Sequence, residues 1–326
     1  MNLEDLNQSN RILFSIPLRP LQGDRFQPTG FPNLGAATYQ TRRGTCLLVE
    51  SAQSMANRLE TVCWDEATQR PVESIEGLSY VRVERNGKFL TCSLLEAHRI
   101  NSPYMLEGSD KTFFNQIKAE LGGLAEGPID RRLLTETLFK YDVSALLHGV
   151  FLAKKDLAGG RLRLARALSA FVEAEGVQIA ASGGVKNDHV NPSGETKKGF
   201  GNVPFSRDEY TADKMTLYVN LDLAQLRGYS LGADKTRLLT LLALFKLRAL
   251  LSGSLRFRTA CDLTVDTGTI RADGMDFALP EMAALSDALK EAVAACRTAM
   301  VQTTVQYNDA MNAVSDGTET DEVGEE

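Results

Sequence analysis

The sequence has few of the residues that most often carry catalysis or bind metals. It contains three widely separated histidines, His98, His148 and His189, and five cysteines with no CxxC pair among them. These spacings argue against a zinc site. The hydrolase elbow GxSxG, the metalloprotease motif HExxH and the phosphate loop GxxxxGK[ST] are also missing. We therefore expect no catalytic residue, no metal, no cofactor and no enzymatic activity.

Long apolar runs are missing as well. The longest candidate, residues 238–251, is interrupted by Lys246 and Arg248 and falls short of the roughly 18 apolar residues that a membrane span needs. Residues 1–10 are polar and acidic, unlike a secretory signal. Scattered cysteines in odd number are typical of reduced thiols. These features predict a cytoplasmic protein without a membrane partner.

Charge is distributed unevenly along the chain, although the net charge is −6. Residues 139–258 carry 18 bases and 11 acids, a net +7, whereas residues 259–315 carry 3 bases and 8 acids, a net −5. Residues 316–326 hold six acids and no base, which predicts a disordered acidic tail after one domain at 1–315. A basic middle is compatible with a polyanionic partner, although such a region often only solvates a surface.

Hydrophobic periodicity predicts a βαββαβ order, which is typical of ferredoxin-like and RRM folds of the α+β class. The predicted strands lie at 11–18, 177–182, 214–222 and 254–263, and the predicted helices at 46–64 and 234–251. Two insertions interrupt this order, one at 65–175 and one at 183–213. The remaining predicted elements are a hairpin at 80–95, helices at 110–121, 130–141, 161–175 and 280–311, and a strand at 143–153.

Two segments near the N-terminus have the chemistry of a phosphate-binding surface. The loop around Arg25 and Gln27 offers backbone N–H groups beside polar side chains. Further on, Ser51 is placed to cap a helix whose N-terminus favours an anion. The residues that accompany Ser51 in this prediction are Arg42, Arg43, Gln53, Asn57 and Arg58. A structural turn network and a simple capped amphipathic helix are the respective alternatives.

The insertion at 183–213 combines glycines, lysines and aromatic residues. Its segment 197–205, KKGFGNVPF, partly matches an RRM signature. Asn202 replaces a stacking aromatic, and Pro204 is unsuited to a central strand. We therefore predict an extended element outside the main sheet rather than a stacking platform. Its candidate RNA contacts are Lys186, His189, Lys197, Lys198 and Phe200, and a disordered surface loop is the alternative.

The strand predicted at 254–263 places Arg256 and Arg258 on one face, because side chains alternate along a strand. Two arginines on an open sheet face are suited to phosphate or base contacts. The alternative is a solvated face on which both arginines pair with acids.

Several segments together resemble the backbone subunit of type I-G (formerly I-U) CRISPR effector complexes, in the RAMP superfamily. The matching segments are 25–35, 47–60, 102–104, 148–151, 183–190, 201–210 and 259–263. The start of the helix at Ser51-Ala52-Gln53 is similar to the S-S-Q element of other type I backbone subunits, with Ala52 in place of the second serine.

The resemblance implies an RRM-like palm with a finger insertion, 65–175, and a thumb-like hairpin, 183–213. It implies copies of the chain stacked head to tail on a CRISPR guide RNA that pairs with target DNA, together with other effector subunits. Arg25, Gln27, Arg42, Arg43, Ser51, Gln53, Asn57 and Arg58 would then line the guide groove. The residues from Lys186 to Phe200 named above would belong to the thumb.

Two other functions stay open from the sequence. Type III relatives cut target RNA with an aspartate in the loop after the first strand, and Asp24 lies in such a loop. The chain would then be a target-RNA endonuclease. Alternatively, it would assemble with itself without binding nucleic acid, which the basic middle region disfavours.

Overall fold

The computed structural model describes residues 3, 6, 8–31, 35–253 and 255–310. The predicted acidic tail at 316–326 and residues 32–34 of the N-terminal loop lie outside these ranges. The strands are β1 (Arg11–Pro20), β2 (Gly30–Phe31), β3 (Gly35–Ala36), β4 (Thr38–Thr41), β5 (Gly44–Glu50), β6 (Trp64–Asp65), β7 (Arg70–Pro71), β8 (Tyr80–Arg85), β9 (Lys88–Cys92), β10 (Val150–Leu152), β11 (Leu162–Leu164), β12 (Leu168–Glu175), β13 (Gln178–Lys186), β14 (Val203–Thr211), β15 (Lys214–Asp222), β16 (Leu255–Arg258), β17 (Cys261–Val265) and β18 (Gln302–Gln306). The helices are α1 (Ala52–Thr61), α2 (Pro103–Leu106), α3 (Thr112–Leu121), α4 (Arg131–Tyr141), α5 (Ala145–His148), α6 (Leu223–Gly228), α7 (Ala233–Ser252) and α8 (Met282–Cys296).

The main sheet of the described residues is antiparallel, with the order β16-β17-β1-β15-β12-β5-β4. Strand β1 buries alternate residues, Ile12, Phe14, Ile16 and Leu18, as its sequence pattern predicts. It pairs with β15 along eight residues, from Arg11↔Asp222 to Leu18↔Met215. Helix α7 is apolar on nearly every side and is buried along most of its length, in contact with α1 and α8. The chain is thus a mixed α/β protein built on a curled antiparallel sheet.

The prediction of a helix at 161–175 is wrong, since this segment forms β11 and β12. Its Leu, Ala, Arg and Glu residues are good helix formers. However, Leu168, Ala170, Val172 and Ala174 are buried in strict alternation, a period of two that specifies a strand. Strand β12 lies between β15 and β5 in the main sheet. The sheet therefore includes the last eight residues of the range predicted as the finger insertion.

Other predicted elements are split or displaced. The helix predicted at 46–64 is the strand β5 followed by α1, and the strand at 143–153 is α5 followed by β10. The strand at 254–263 is a hairpin of β16 and β17. The helix at 280–311 ends at Cys296, after which the β-branched segment 302–306 forms β18, parallel to β8.

Residues 178–211 form a hairpin, here called the arm, which consists of β13, β14 and the loop 187–202. The two strands pair from Gln178↔Thr211 to Lys186↔Val203 in a two-stranded sheet of their own. The strand predicted at 177–182 is therefore part of this arm and does not lie in the main sheet. Most residues of both strands are exposed, and at about 3.4 Å per residue the arm is roughly 30 Å long. Pro204 is accommodated because its strand lies at an edge.

The segment between α1 and β12 carries smaller elements. Strands β8 and β9 form the hairpin predicted at 80–95, where Asn86 and Gly87 have φ of 50° and 72°, as a type I′ turn requires. Helices α3 and α4 occupy the segments predicted as helical at 110–121 and 130–141. Among the described residues, no helix is long and apolar enough to span a membrane.

Candidate nucleic-acid interface

The N-terminal loop, residues 21–29, is fixed by backbone hydrogen bonds to three other elements. The N–H of Phe26 donates to Tyr210, that of Gln27 to Ala260 at 2.7 Å, and that of Thr29 to Val49. These N–H groups are therefore satisfied within the protein, contrary to the expectation that the loop offers them to phosphate. The side chain of Arg25 is exposed and lies 3.7 Å from Glu209 at the base of the arm.

Ser51 caps α1 as predicted, and its hydroxyl accepts a hydrogen bond from the Ser54 N–H at 3.2 Å. The first turn of α1 contains no acidic residue, so no acidic side chain within the helix offsets its positive end. Gln53 and Asn57 are exposed and, four residues apart, share one face of the helix. This helix entry keeps the polar surface that the sequence predicts.

Arg58 and Arg258, which the sequence predicts as RNA contacts, have partners within the protein. Both form ion pairs with Glu50, whose side chain is only 2% exposed. Arg58 also donates to the carbonyls of Arg256 and Phe257, and Arg258 to those of Gln27 and Val49. Their guanidinium groups hold β5, β16 and the N-terminal loop together. For Arg258, the alternative of a pairing with an acid is the one that the structure shows.

Arg42 and Arg43 lie in the turn between β4 and β5, and both are exposed. Arg43 forms an ion pair of 3.0 Å with Glu175, at the end of the neighbouring strand β12. Since the Arg43 side chain is 70% exposed, this pair contributes little to stability. Both cations remain accessible to an anionic ligand.

The tip of the arm is held together by one carboxylate. Asp188 accepts hydrogen bonds from the N–H groups of Val190, Asn191 and Gly201 at 2.8 to 2.9 Å. These bonds lower the pKa of its carboxyl group. Gly201 has φ of 82°, and a Cβ there would lie 2.3 Å from the Gly194 carbonyl oxygen. The conformation of the tip is thus fixed by the Asp188 carboxylate and by a glycine at position 201.

The predicted contact residues of the arm are all exposed. Lys198 forms a surface ion pair of 2.7 Å with Glu195, and Phe200 is 52% exposed. Apolar exposure continues along the strands, where Ile179, Val185 and Phe205 are exposed as well. An exposed apolar surface rimmed by polar groups is typical of an interaction site.

The predicted site residues therefore fall into three places. The first place is where the N-terminal loop, α1 and β16 meet, and it holds Arg25, Gln27, Ser51, Gln53, Asn57, Arg58, Arg256 and Arg258. Arg42 and Arg43 lie at the β4–β5 turn, and the arm residues lie roughly 30 Å from the base of the arm. Sequence reasoning missed Arg166, which donates a hydrogen bond to Gln53. A signal for the strand before Arg166 was present in the sequence. Arg161 and Arg163 alternate with Leu162 and Leu164, a pattern that is typical of a strand.

Asp24, the residue proposed for cleavage, is exposed in the bend after β1. Within the part of the chain that the structure describes, no three or more His, Cys, Asp or Glu side chains are grouped so that they could hold a metal ion.

The family described as CRISPR-associated protein GSU0053 matches residues 12–179. This range is more than half of the 326 residues, and the chain belongs to this family of CRISPR-associated proteins. The match confirms the part of the sequence resemblance that assigns the chain to CRISPR-associated proteins. No curated protein matches the chain.

The solved structures that are similar to the chain include the following three. Two are chains of a "CRISPR RNA-guided surveillance complex". The first, in a pre-nicking state, has 17% identity, a TM-score of 0.39 and coverage of 78% of this chain and 73% of that one. The second has 15% identity, a TM-score of 0.34 and coverage of 78% and 65%. The third, Csc2 of Thermofilum pendens, has 9% identity, a TM-score of 0.33 and coverage of 90% and 79%.

Proposed function

We propose that the chain is an RNA-binding backbone subunit of a CRISPR effector complex of type I-G. Copies polymerise head to tail along the guide RNA in the cytoplasm, beside other effector subunits, and present the guide for pairing with target DNA. Family membership over residues 12–179 is the observation that carries this proposal.

The strand order supports a ferredoxin-like or RRM-like palm. Reading β1, β12, β15 and β17 as its four strands and α1 and α7 as its helices gives the order βαββαβ. In the sheet these strands lie side by side in the order β17-β1-β15-β12. The fingers then end before Leu168 instead of at residue 175, and the arm takes the part of the thumb predicted at 183–213.

The arm supports the polymer part of the proposal. A hairpin of exposed strands cannot bury its own apolar side chains, and Ile179, Val185 and Phe205 remain exposed. Contact with a second copy of the chain would cover them. The lysines near the tip, Lys186, Lys197 and Lys198, would meet RNA phosphates in that assembly.

Phosphate contacts explain how one protein accepts any guide. Lysine and arginine neutralise the backbone whatever the base sequence, and their contribution falls as salt rises. Sequence recognition is left to pairing between the guide and its target. The exposed cations Arg25, Arg42 and Arg43 and the entry of α1 would continue this backbone contact on the palm.

The double substitution of Lys197→Ala and Lys198→Ala tests this proposal. Fluorescence anisotropy would follow binding of labelled single-stranded RNAs of equal length and unrelated sequence at several salt concentrations. We expect weaker binding to every RNA and a salt dependence flatter by about 1–2 in log–log slope. Lys88→Ala with Lys118→Ala is the matched control, since both lysines are exposed outside the arm.

Two results would contradict the proposal. One is a wild-type protein that does not bind RNA, and the other is a loss of binding confined to certain sequences.

We also propose that the chain acts without catalysis. The test is incubation of the wild type and of Asp24→Ala with labelled target RNA and Mg²⁺. Cleavage by the wild type that Asp24→Ala abolishes would establish the endonuclease alternative.

A further inference from the structure

A cleft of about 640 Å³ lies beside the entry of α1. Its polar and aromatic lining includes Gln53, Arg99, His148, Phe151, Arg163 and Arg166. Among the described residues that line it there is no aspartate or glutamate. A pocket of this size is large enough for a small organic ligand, and its lining gives it a positive charge. We call it the basic cleft.

The wall of the basic cleft is built by close packing of two strands. Gly149 has φ of 77°, and a Cβ there would lie 2.7 Å from the Leu164 carbonyl oxygen. Only glycine fits this position without strain. It leads into β10, in which Phe151 pairs across the strands with Arg163. The segment His148-Gly149-Val150-Phe151 therefore forms one wall of the basic cleft.

Phe151 and Arg163 form a flat surface on this wall. The Arg163 guanidinium carbon lies 4.6 Å from the centre of the Phe151 ring. Both side chains are exposed, the phenylalanine by 43%. Guanidinium groups and aromatic rings are the surfaces on which unpaired bases stack.

The floor of the basic cleft is positively charged and partly buried. Arg99 is buried, pairs with Glu60 and donates to the Gly149 carbonyl at 3.3 Å. Burial and the charge of Arg99 lower the pKa of Arg166, and the attraction of Glu60 is a smaller effect. Among the described residues Arg166 forms no ion pair of its own, and its hydrogen bond goes to the neutral Gln53.

His148, which also lines the cleft, has a ring nitrogen without a hydrogen-bond partner. The ring is 1% exposed, and its Nδ1 atom has no hydrogen-bond partner. Its Nε2 atom lies 2.9 Å from the Lys246 ammonium. A buried polar atom without a hydrogen-bond partner is costly, and this one belongs to a residue that lines the cleft.

Another cleft of the molecule is different. A cleft of about 720 Å³ near β8 is lined by Asp65, Glu73, Glu76 and Glu84 as well as two arginines. Its carboxylates outnumber its cations, so it would repel an anion. A third cleft, of about 890 Å³, shares Arg163 with the basic cleft and also has more cations than carboxylates, since Arg131 and Arg161 line it beside Asp222. Of these three clefts, the basic cleft is the one whose described lining contains no carboxylate.

We propose that the basic cleft binds one nucleotide unit of single-stranded RNA. Arg166 and Arg163 contact its phosphate, and its base stacks against the surface formed by Phe151 and Arg163. Gln53 connects this site to the entry of α1, so the site continues the guide groove. The inference rests on the proposed function, because it names a further contact for the same RNA.

The test combines two variants that act through different physics. Arg163→Ala with Arg166→Ala removes charge, and we expect about 10-fold weaker binding of a labelled single-stranded RNA and a salt slope flatter by about 1–2. Phe151→Ala removes stacking, and we expect about 10-fold weaker binding with an unchanged salt slope. The matched control is Arg132→Ala with Arg271→Ala, two exposed arginines outside the cleft. Far-UV circular dichroism and urea unfolding verify that each variant is folded.

The outcomes separate this inference from the proposed function. If the cleft variants bind like the wild type while the lysine variant of the arm loses affinity, the cleft assignment is overturned and the RNA-binding function stands. Cleft variants that lose affinity only for DNA of the same sequence overturn the assignment to RNA. A wild type that binds no RNA overturns both proposals.

Discussion

Two pairs of arginines lie in or near helix α1 and its N-terminus, and they differ in which groups balance their charge. Arg58 and Arg258 share the buried carboxylate of Glu50. Arg163 and Arg166 line a cleft without a carboxylate. The first pair joins strands of the fold, whereas the second pair has charge available for a ligand. The number of arginines in a segment therefore says less about binding than the position of the nearest acid.

The largest expected effect on stability is that of replacing Glu50, the shared partner of the first pair. Glu50→Ala leaves two cations without their partner, at positions where their side chains are only 28% and 23% exposed. We expect the free energy of unfolding to fall by about 3 kcal/mol, measured by urea denaturation. RNA affinity of the folded protein should stay unchanged. A stable variant with impaired RNA binding would place Arg58 and Arg258 in the binding surface instead.

Arg258→Lys should have a smaller effect on the same network. The Arg258 guanidinium donates to the carbonyls of Gln27 and Val49 while it pairs with Glu50. A lysine keeps the charge but cannot reproduce this planar geometry. We expect a loss of about 1–2 kcal/mol in the free energy of unfolding, with RNA affinity unchanged. Arg163→Lys is the matched control and should leave stability within about 0.5 kcal/mol of the wild type.

The smallest expected effect is the influence of the positive charge of the cleft on the protonation of His148. Burial, together with the charges of Lys246, Arg99 and Arg166, holds the pKa of His148 well below its usual value. The folded protein thus keeps His148 neutral, while the unfolded chain takes up a proton below about pH 6.5. The unfolded state then binds more protons, so this residue lowers stability as the pH falls, by at most about 1.4 kcal/mol per pH unit.

Two neighbours titrate with the opposite sign. Burial raises the pKa values of Glu60 and Asp142, so the folded state takes up protons there first and gains stability in acid. The informative quantity is therefore the difference between wild type and His148→Gln in unfolding free energy from pH 7 to pH 5. We expect the wild type to lose more. Arg166→Ala should reduce that difference, and an unchanged difference would show that the charge of Arg166 does not reach His148.

Much of the fold can be predicted where the hydrophobic pattern of a segment fits either a strand or a helix but not both. Strands β1 and β15 and helix α7 are predicted within a few residues, because alternation or an apolar helix pattern is unambiguous there. The prediction fails at β12, where helix-forming residues carry a strand period. It also fails at β18, because its strand pattern directly follows a strong helix. Tertiary pairing decides both segments, and pairing partners far along the chain are not visible in a local window.

The candidate site divides in the same way. The Ser51 cap is local, since its partner is three residues away, and the sequence predicts it. The pairing of Arg258 with Glu50 joins residues 208 positions apart, so the sequence alone does not separate a structural arginine from a ligand-binding one. The basic cleft was missed for the same reason. Gln53, Phe151 and Arg166 come together only through the positions of α1, β10 and the segment between β11 and β12.

We propose that this chain packages a guide RNA as a repeated subunit. Expression with a CRISPR array and the neighbouring genes, followed by tag purification and size exclusion, tests it most directly through the ratio of absorbance at 260 and 280 nm. We predict a large particle with a high ratio that contains RNA of one discrete length. A monomer with a low ratio that does not bind added RNA would contradict the claim.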